Sequence, residues 1–303
     1  MTSVDLIAAC WTTAGDAVPL DGMNDSPLSL PERIVAAAAA GFTGFGIVHN
    51  DLAAYLARGG SLKQLRHRLD DAGLRYVELE FLTDWWRPAA VRQAADEVLR
   101  LLLDAAEPLA AHHVKIGPDI EHPDFDLGQY AEQFHRVSDA FAQVGTAVAF
   151  EFMPFSNVAT LAQGLEMVRA AGHPNGGLMI DLWHLMRGSG TLEELSRVPV
   201  RFIKGIELDD GDATQVGTGY EDTVLRRKLC GHGEFPVVEF IRTVESIGWT
   251  GPWGVEILSE QYRKRPMPGA VADAFATTMA SLTDARDRDG VSQRSGRRKT
   301  ASR

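Results

Sequence analysis

Only two cysteines, Cys10 and Cys230, occur in 303 residues. They lie too far apart to form a CxxC pair, which excludes a disulfide scaffold and leads us to expect a reducing, cytoplasmic setting. No apolar run reaches the ~18 residues that a membrane span requires. The first residues, MTSVDLIAACW, carry Asp5 and no basic stretch, unlike a secretion signal. Positive charge is scarce too: 30 Lys and Arg face 41 Asp and Glu, for a net charge of −11. Arg294, Arg297, Arg298, Lys299 and Arg303 all fall in the last thirteen residues, so the body before them is more acidic still. Such a body repels phosphate backbones, and nucleic acid is not an expected partner. The basic end is polar and poor in apolar residues, and we read 283–303 as a disordered tail.

What remains is an ordinary globular composition, 45% apolar and 23% charged. A chain of this length buries roughly 75% of its unfolded surface and needs no covalent staples. Along residues 1–282 one rhythm repeats. A helix-like stretch ends at a small residue or glycine, and a short apolar run follows. Examples are AAAAAGFTGFGIVH (36–49), LDDAGLRYVELEF (69–81) and FAQVGTAVAFEF (141–152). Gly41, Gly73, Gly145 and Gly172 stand where left-handed helix caps belong. The apolar runs are short and rich in Val, Ile and Phe, as strands buried on both faces are. Seven such units plus a first strand at Leu6–Trp11 give eight strands. Their spacing of about 30–37 residues leaves room for one crossover helix each. The arithmetic is that of a single α/β domain, a closed (β/α)8 TIM barrel. An open doubly wound sheet is the rival, but no GxGxxG follows the first strand.

Catalytic groups of such a barrel sit at the C-terminal ends of its strands. Glu151 lies inside AVAFEF, Asp181 and His184 end GLMIDLWH, Glu207 ends FIKGIEL, and Glu256 ends WGVE. One carboxylate of this kind is ordinarily a helix cap or an ion-pair partner. Four on successive strands, expected at one height, repel one another and call for a cation. An oxygen-rich set suits a divalent metal, Mn²⁺ first and Mg²⁺ or Co²⁺ next.

These residues also carry a resemblance. Glu on strand 5, Asp-x-x-His on strand 6, a ligand on strand 7 and Glu on strand 8 resemble the xylose-isomerase-like barrels. The segment from Arg227 through Cys-Gly-His-Gly-Glu-Phe (230–235) to Gly-Trp-Thr-Gly-Pro-Trp-Gly-Val-Glu (248–256) is similar to that family's late signature. The family includes sugar and sugar-phosphate isomerases and epimerases, inosose dehydratases and hydroxypyruvate isomerases. The resemblance implies metal ligands at Glu151, Asp181, Glu207 and Glu256. It implies that Glu151 and Glu256 exchange a proton with the substrate and that His184 contacts a substrate oxygen. This sequence departs from the pattern twice. Glu207 stands where His or Gln is common, and His232 and Cys230 stand where Glu and Pro are common.

Further substrate contacts are expected at His49, at Lys115 (a lysine inside an apolar strand), at Trp11 and at Arg263, with His232 from the signature loop. Glu80 and Asp84 follow strand 3. Trp85 and Trp86 are candidates, with Trp11, for an apolar wall against a sugar ring. His112 and His113 read as helix-end residues, and the Met and Phe of EFMPF (151–155) as packing. The connection from Asp209 to Gly233, with Tyr220, Glu221, Asp222 and Arg226, is expected to cover the pocket.

A carboxylate-held metal polarises a carbonyl, acidifies the neighbouring C–H and stabilises an enediolate. The leading expectation is therefore an isomerase or epimerase of a keto sugar or related polyol carbonyl compound. The alternative is a lyase on the same substrates, either a keto-inositol dehydratase or a 3-oxo-glycoside-cleaving enzyme. A glycine-rich phosphate turn is not evident, and Arg226 and Arg263 are the only bases placed for a clamp, so a non-phosphorylated substrate is favoured. A DNA-repair nuclease on this barrel would need more histidine ligands than strand 3 offers. A non-catalytic barrel is the remaining reading. Pairing into a homodimer is expected from the resemblance.

Overall fold

The computed structural model describes residues 4–20 and 22–299, with side chains as far as Asp287. Eight parallel strands close into one barrel in sequence order. They are β1 (Leu6–Ala8), β2 (Gly44–Val48), β3 (Tyr76–Leu82), β4 (His113–Ile116), β5 (Ala147–Glu151), β6 (Gly176–Asp181), β7 (Ile203–Leu208) and β8 (Trp253–Val255). β8 pairs back onto β1, with Ile7 opposite Gly254. The first strand is shorter than its apolar run, because Cys10–Thr13 already turns as a helix.

The crossover helices form because their ends are specified locally. Ser29 caps the helix Leu30–Ala40 with a reciprocal bond to Glu32, Pro31 stands in its first turn, and Gly41 ends it at φ 109°. Thr160 and Gly172 (φ 63°) do the same for Leu161–Ala171. Between these helices and the strands lies a continuous apolar layer in which Phe45, Leu79, Val114, Phe150 and Ile180 are fully buried.

Side chains on the other face of the strands point into the barrel, and here the interior is polar. Strand alternation sends Glu78 and Glu80 of β3, His113 and Lys115 of β4 and Glu207 of β7 inward. Two glycines make the room. A Cβ at Gly46 would come within 2.9 Å of Glu80 Oε1, and one at Gly254 within 2.7 Å of Glu207 Cγ. Low on this polar column, His113 Nε2 sits 2.6 Å from Glu78 Oε2 and His113 Nδ1 sits 2.9 Å from His112 Nδ1. His113 therefore opens a strand and His112 immediately precedes it; neither ends a helix. The spacing of polar residues along YVELEF and HHVKIG is two, the strand period.

The last helix, Met267–Lys299, packs beyond residue 282. Ala285 is buried and Arg286 bonds Glu245. The basic side chains expected in the tail lie outside the described residues. Among the described residues no helix is long and apolar enough to cross a membrane.

Candidate active site

The C-terminal ends of β5 to β8 bring Glu151, Asp181, Glu207 and Glu256 together, one oxygen from each lying within 4.8 Å of the others. They do not share one height. Asp181 pairs with Glu207 across β6 and β7, but Glu151 lies opposite Met179, two residues before Asp181. The stagger of a closed barrel imposes that offset, and the extra methylene of each glutamate spans it. All four carboxylates are at most 3% exposed.

Two buried cations stand among them. Lys115 Nζ is 2.7 Å from Glu207 Oε1, 2.8 Å from Glu256 Oε1 and 3.3 Å from Glu80 Oε2. Arg227 comes from the β7–β8 connection. Its Nη1 is 2.5 Å from Asp181 Oδ2, 2.6 Å from Asp209 Oδ2 and 3.3 Å from Glu256 Oε2. His184 follows Asp181 on the short helix Leu182–Arg187. Its backbone N–H donates to Asp181 Oδ1 at 2.8 Å, and its Nε2 lies 3.3 Å from Glu151 Oε1. That last contact is an ion-pair distance without hydrogen-bond alignment.

Acids still outnumber bases, and the titration behaviour follows. Burial, with Lys115 opposing and Glu78 and Glu256 adding to it, pushes Glu80 up to about 8. Burial and the neighbouring Glu256 hold Glu207 well above the ordinary carboxylate range, and burial and Asp181 do the same for Asp209. Glu256 is raised by burial. Burial acts on Asp181 as well, but Arg227 and His184 outweigh it and leave that carboxyl below its usual value. Three buried oxygens, Glu151 Oε1, Glu207 Oε2 and Asp209 Oδ1, have no hydrogen-bond partner among the described residues. Unpartnered oxygens in a carboxylate set short of positive charge are what a divalent cation would satisfy. Glu151, Asp181, Glu207 and Glu256 are therefore able to hold one.

A cavity of about 240 Å³ opens over the cluster. Glu80, Lys115, Glu151, His184, Arg227 and Glu256 face it, while Asp181 and Glu207 lie behind them. Its upper walls are Trp11, Phe81, Met153, Phe155, Tyr220 and Leu258. The roof is tied where Tyr220 Oη donates to the Pro19 carbonyl, beside a small apolar cluster of Val18, Val224 and Leu258. The connection that carries Arg227 and Tyr220 is pinned by Asp210, whose carboxylate accepts from the backbone N–H of Gly211, Gly231, Gly233 and Phe235.

Of the expected contacts, Trp11, Lys115 and His184 line this cavity. His49 does not; its Nδ1 accepts from the Phe81 N–H at 3.3 Å. Arg263 lines a separate cleft and bonds Asp16 at 2.6 Å. His232 is exposed on another face. Trp85 and Trp86 are core residues packed on Tyr130, and Asp84 pairs with Arg87. Met153 and Phe155, expected as packing alone, are cavity walls. Arg227 is the residue the sequence reading passed over, although the family-like segment begins at it. A buried arginine facing two aspartates is not visible until the connection folds back over the strand ends.

A closed (β/α)8 barrel with an acidic centre at its mouth is the class that fold and site define. The sequence pattern of the xylose isomerase-like TIM barrel matches residues 34–281, and the chain belongs to that family. It is 24% identical over 255 residues to a 3-dehydroshikimate dehydratase of Pseudomonas putida, covering 83% of this chain and 39% of that protein. It is 26% identical over 146 residues to an inosose isomerase of Halalkalibacterium halodurans, covering 48% of this chain and 51% of that one. The chain thus spans well under two thirds of the length of these relatives. Among solved structures, the IOLI protein with a bound zinc atom superposes with a TM-score of 0.80 at 18% identity, over 93% of this chain and 99% of that one.

Proposed function

We propose that the protein is a divalent-metal-dependent isomerase or epimerase of a keto sugar or related polyol carbonyl compound. The observation that carries this reading is the pairing of Glu151 and Glu256 at one cavity, each backed by the carboxylates that would share a metal with it. Glu151, Asp181, Glu207 and Glu256 would hold the ion, with Mn²⁺ the first to test. When bound, it supplies Lewis-acid polarisation of a carbonyl and its neighbouring hydroxyl.

The chain's own groups do the rest. Glu256 is positioned by Lys115 and Arg227, and Glu151 presents an unpartnered oxygen. One takes a proton from the carbon beside the carbonyl and the other delivers one. Lys115 and His184 face the same space as hydrogen-bond donors to substrate oxygens. The apolar walls exclude water from the carbon acid.

A second reading, a lyase or dehydratase acting through the same carbanion, is favoured by the dehydratase match, which runs over 83% of the chain. The test is proton exchange. Metal-loaded protein in D₂O is incubated with ketoses, keto-inositols and 3-oxo-glucosides and followed by NMR. Deuterium beside the carbonyl with all hydroxyls retained supports the isomerase, and a product lacking a hydroxyl or an aglycone makes it a lyase. Bound metal with neither exchange nor product anywhere in the panel refutes both.

A further inference from the structure

The short helix Leu182–Arg187 carries three chemical groups at three-residue spacing, each a neighbour of the next along the helix surface. Asp181 caps it, His184 faces the cavity and Arg187 ends it. Arg187 stands clear of the cavity and turns to the connection between β7 and β8, which it grips at two separated places. Its Nε and Nη2 each lie 3.0 Å from Asp222 Oδ2. Nη2 also donates to the Asp212 carbonyl at 2.8 Å, and Nη1 to the Ala213 carbonyl at 3.3 Å. The guanidinium lies over Phe235, 5.0 Å from the ring centre. The side chains of the Arg187–Asp222 pair are 8% and 2% exposed.

What Arg187 holds bears directly on the site. Asp222 belongs to the helix Gly219–Leu225, whose Tyr220 roofs the cavity. Beside Asp222, Thr223 Oγ1 accepts from Arg227 Nε at 3.2 Å and from Arg227 Nη2 at 3.0 Å. The ring of Trp183 carries both guanidinium groups, Arg187 at 5.4 Å and Arg227 at 5.8 Å from its centre. Asp222 Oδ1 accepts from the Val216 N–H at 3.0 Å, so the same carboxylate ties down the approach to that helix. Asp210 folds the two ends of the connection, and Arg187 fixes its middle. The guanidinium fork reaches a carboxylate and two carbonyls at once, which the single point charge of a lysine does not. A buried ion pair contributes little net stability over apolar residues of the same shape, so the consequence of this one is placement.

We propose that Arg187 is a positioning residue for the reaction. It sets Tyr220 over the cavity and steadies Arg227 against Asp181, from the same helix that presents His184. The inference rests on the proposed function for its effect on turnover, but not for its effect on the connection.

Hydrogen exchange and kinetics test the two parts separately, with Arg187→Ala and Arg187→Lys in the full chain. In Arg187→Ala, amide exchange over 216–227 is expected to accelerate at least about tenfold, the size of one lost charge-assisted hydrogen bond. The strands β5 and β6 and the amides of Gly231 and Gly233 should exchange as in the parent. Millimolar guanidinium chloride should restore the parent pattern, and equal ammonium chloride should not. Arg187→Lys keeps the charge and should still exchange faster than the parent over 216–227; if Arg187→Ala does not fold, this variant decides. With a ketone that the parent turns over, KM of Arg187→Ala is expected to rise more than kcat falls, and guanidinium to bring KM back. Unchanged exchange over 216–227, acceleration spread through the barrel, acceleration that guanidinium leaves in place, or a lysine variant that matches the parent overturns the inference. If the parent turns over no ketone, the proposed function fails, and the exchange pattern still decides whether Arg187 holds the connection.

Discussion

Lys115 of β4 reaches across the barrel to Glu207 of β7, Nζ to Oε1 at 2.7 Å, with neither side chain more than 1% exposed. Strands three places apart are thus joined through the axis as well as around the wall. Breaking a buried pair from one side leaves its partner charged and alone, which costs about 3–5 kcal/mol. Lys115→Met is therefore expected to lower the unfolding free energy by that order in EDTA, and by much less when a divalent ion is in excess. Paired denaturant melts, with and without metal, measure the difference. An equal loss in both conditions would mean that Lys115 and the metal do not share these carboxylates.

Glu256→Gln keeps the shape of the side chain and one of its two acceptor contacts, to Lys115 or to Arg227, but removes the base. General acid–base catalysis is worth about 10²–10⁴ in rate, so kcat is expected to fall by at least a hundredfold with little change in KM. Circular dichroism should remain native-like, with Tm lowered because buried Lys115 and Arg227 lose a charged partner. Near-normal turnover would remove Glu256 from proton transfer.

Asp210 holds the connection between β7 and β8 through four backbone N–H groups. Asp210→Ala removes a charged acceptor from all of them, a loss on the order of 3 kcal/mol at one site. Cleavage within 211–236 under limited proteolysis is expected to accelerate, and KM to rise because Arg227 and Tyr220 ride on this segment. Unchanged proteolysis would place the strength of the connection elsewhere.

His112 gives a handle on acid sensitivity away from the carboxylate centre. Burial and the adjacent His113 lower its pKa to about 4 from an ordinary 6.5. A histidine with a depressed folded pKa contributes stability above its unfolded pKa, and that contribution is lost as pH falls from 6.5 through 4. The parent should lose Tm across this window, and His112→Gln should lose less. Parallel scans at pH 7.5 and 4.5 suffice. Identical slopes would assign the acid limb to other groups.

The barrel was legible because its signals are local. Cap residues such as Ser29 and Thr160, cap glycines such as Gly41, and doubly buried strands such as AVAFE all act within a few positions of themselves. Four acids at strand ends were legible for the same reason, once the strands were counted. Their stagger was not, since it arises from closing the sheet. Nor was the fate of Trp85 and Trp86 against that of Phe155. Which aromatic faces the cavity is decided by how long connections fold back, not by residue type. Arg227 and His232 sit five residues apart in one loop, and only the pinning by Asp210 turns the first inward and leaves the second in solvent.

The bond from Tyr220 to Pro19 joins segments two hundred positions apart in sequence over a single small chamber. A chamber roofed in this way slows the escape of what is released inside it. The hydrogen lifted from a substrate carbon would stay on its carboxylate until the roof parts, so return of the original atom competes with exchange. The fraction of label returned to the substrate then becomes a clock for the roof, and Tyr220→Phe should lower that fraction.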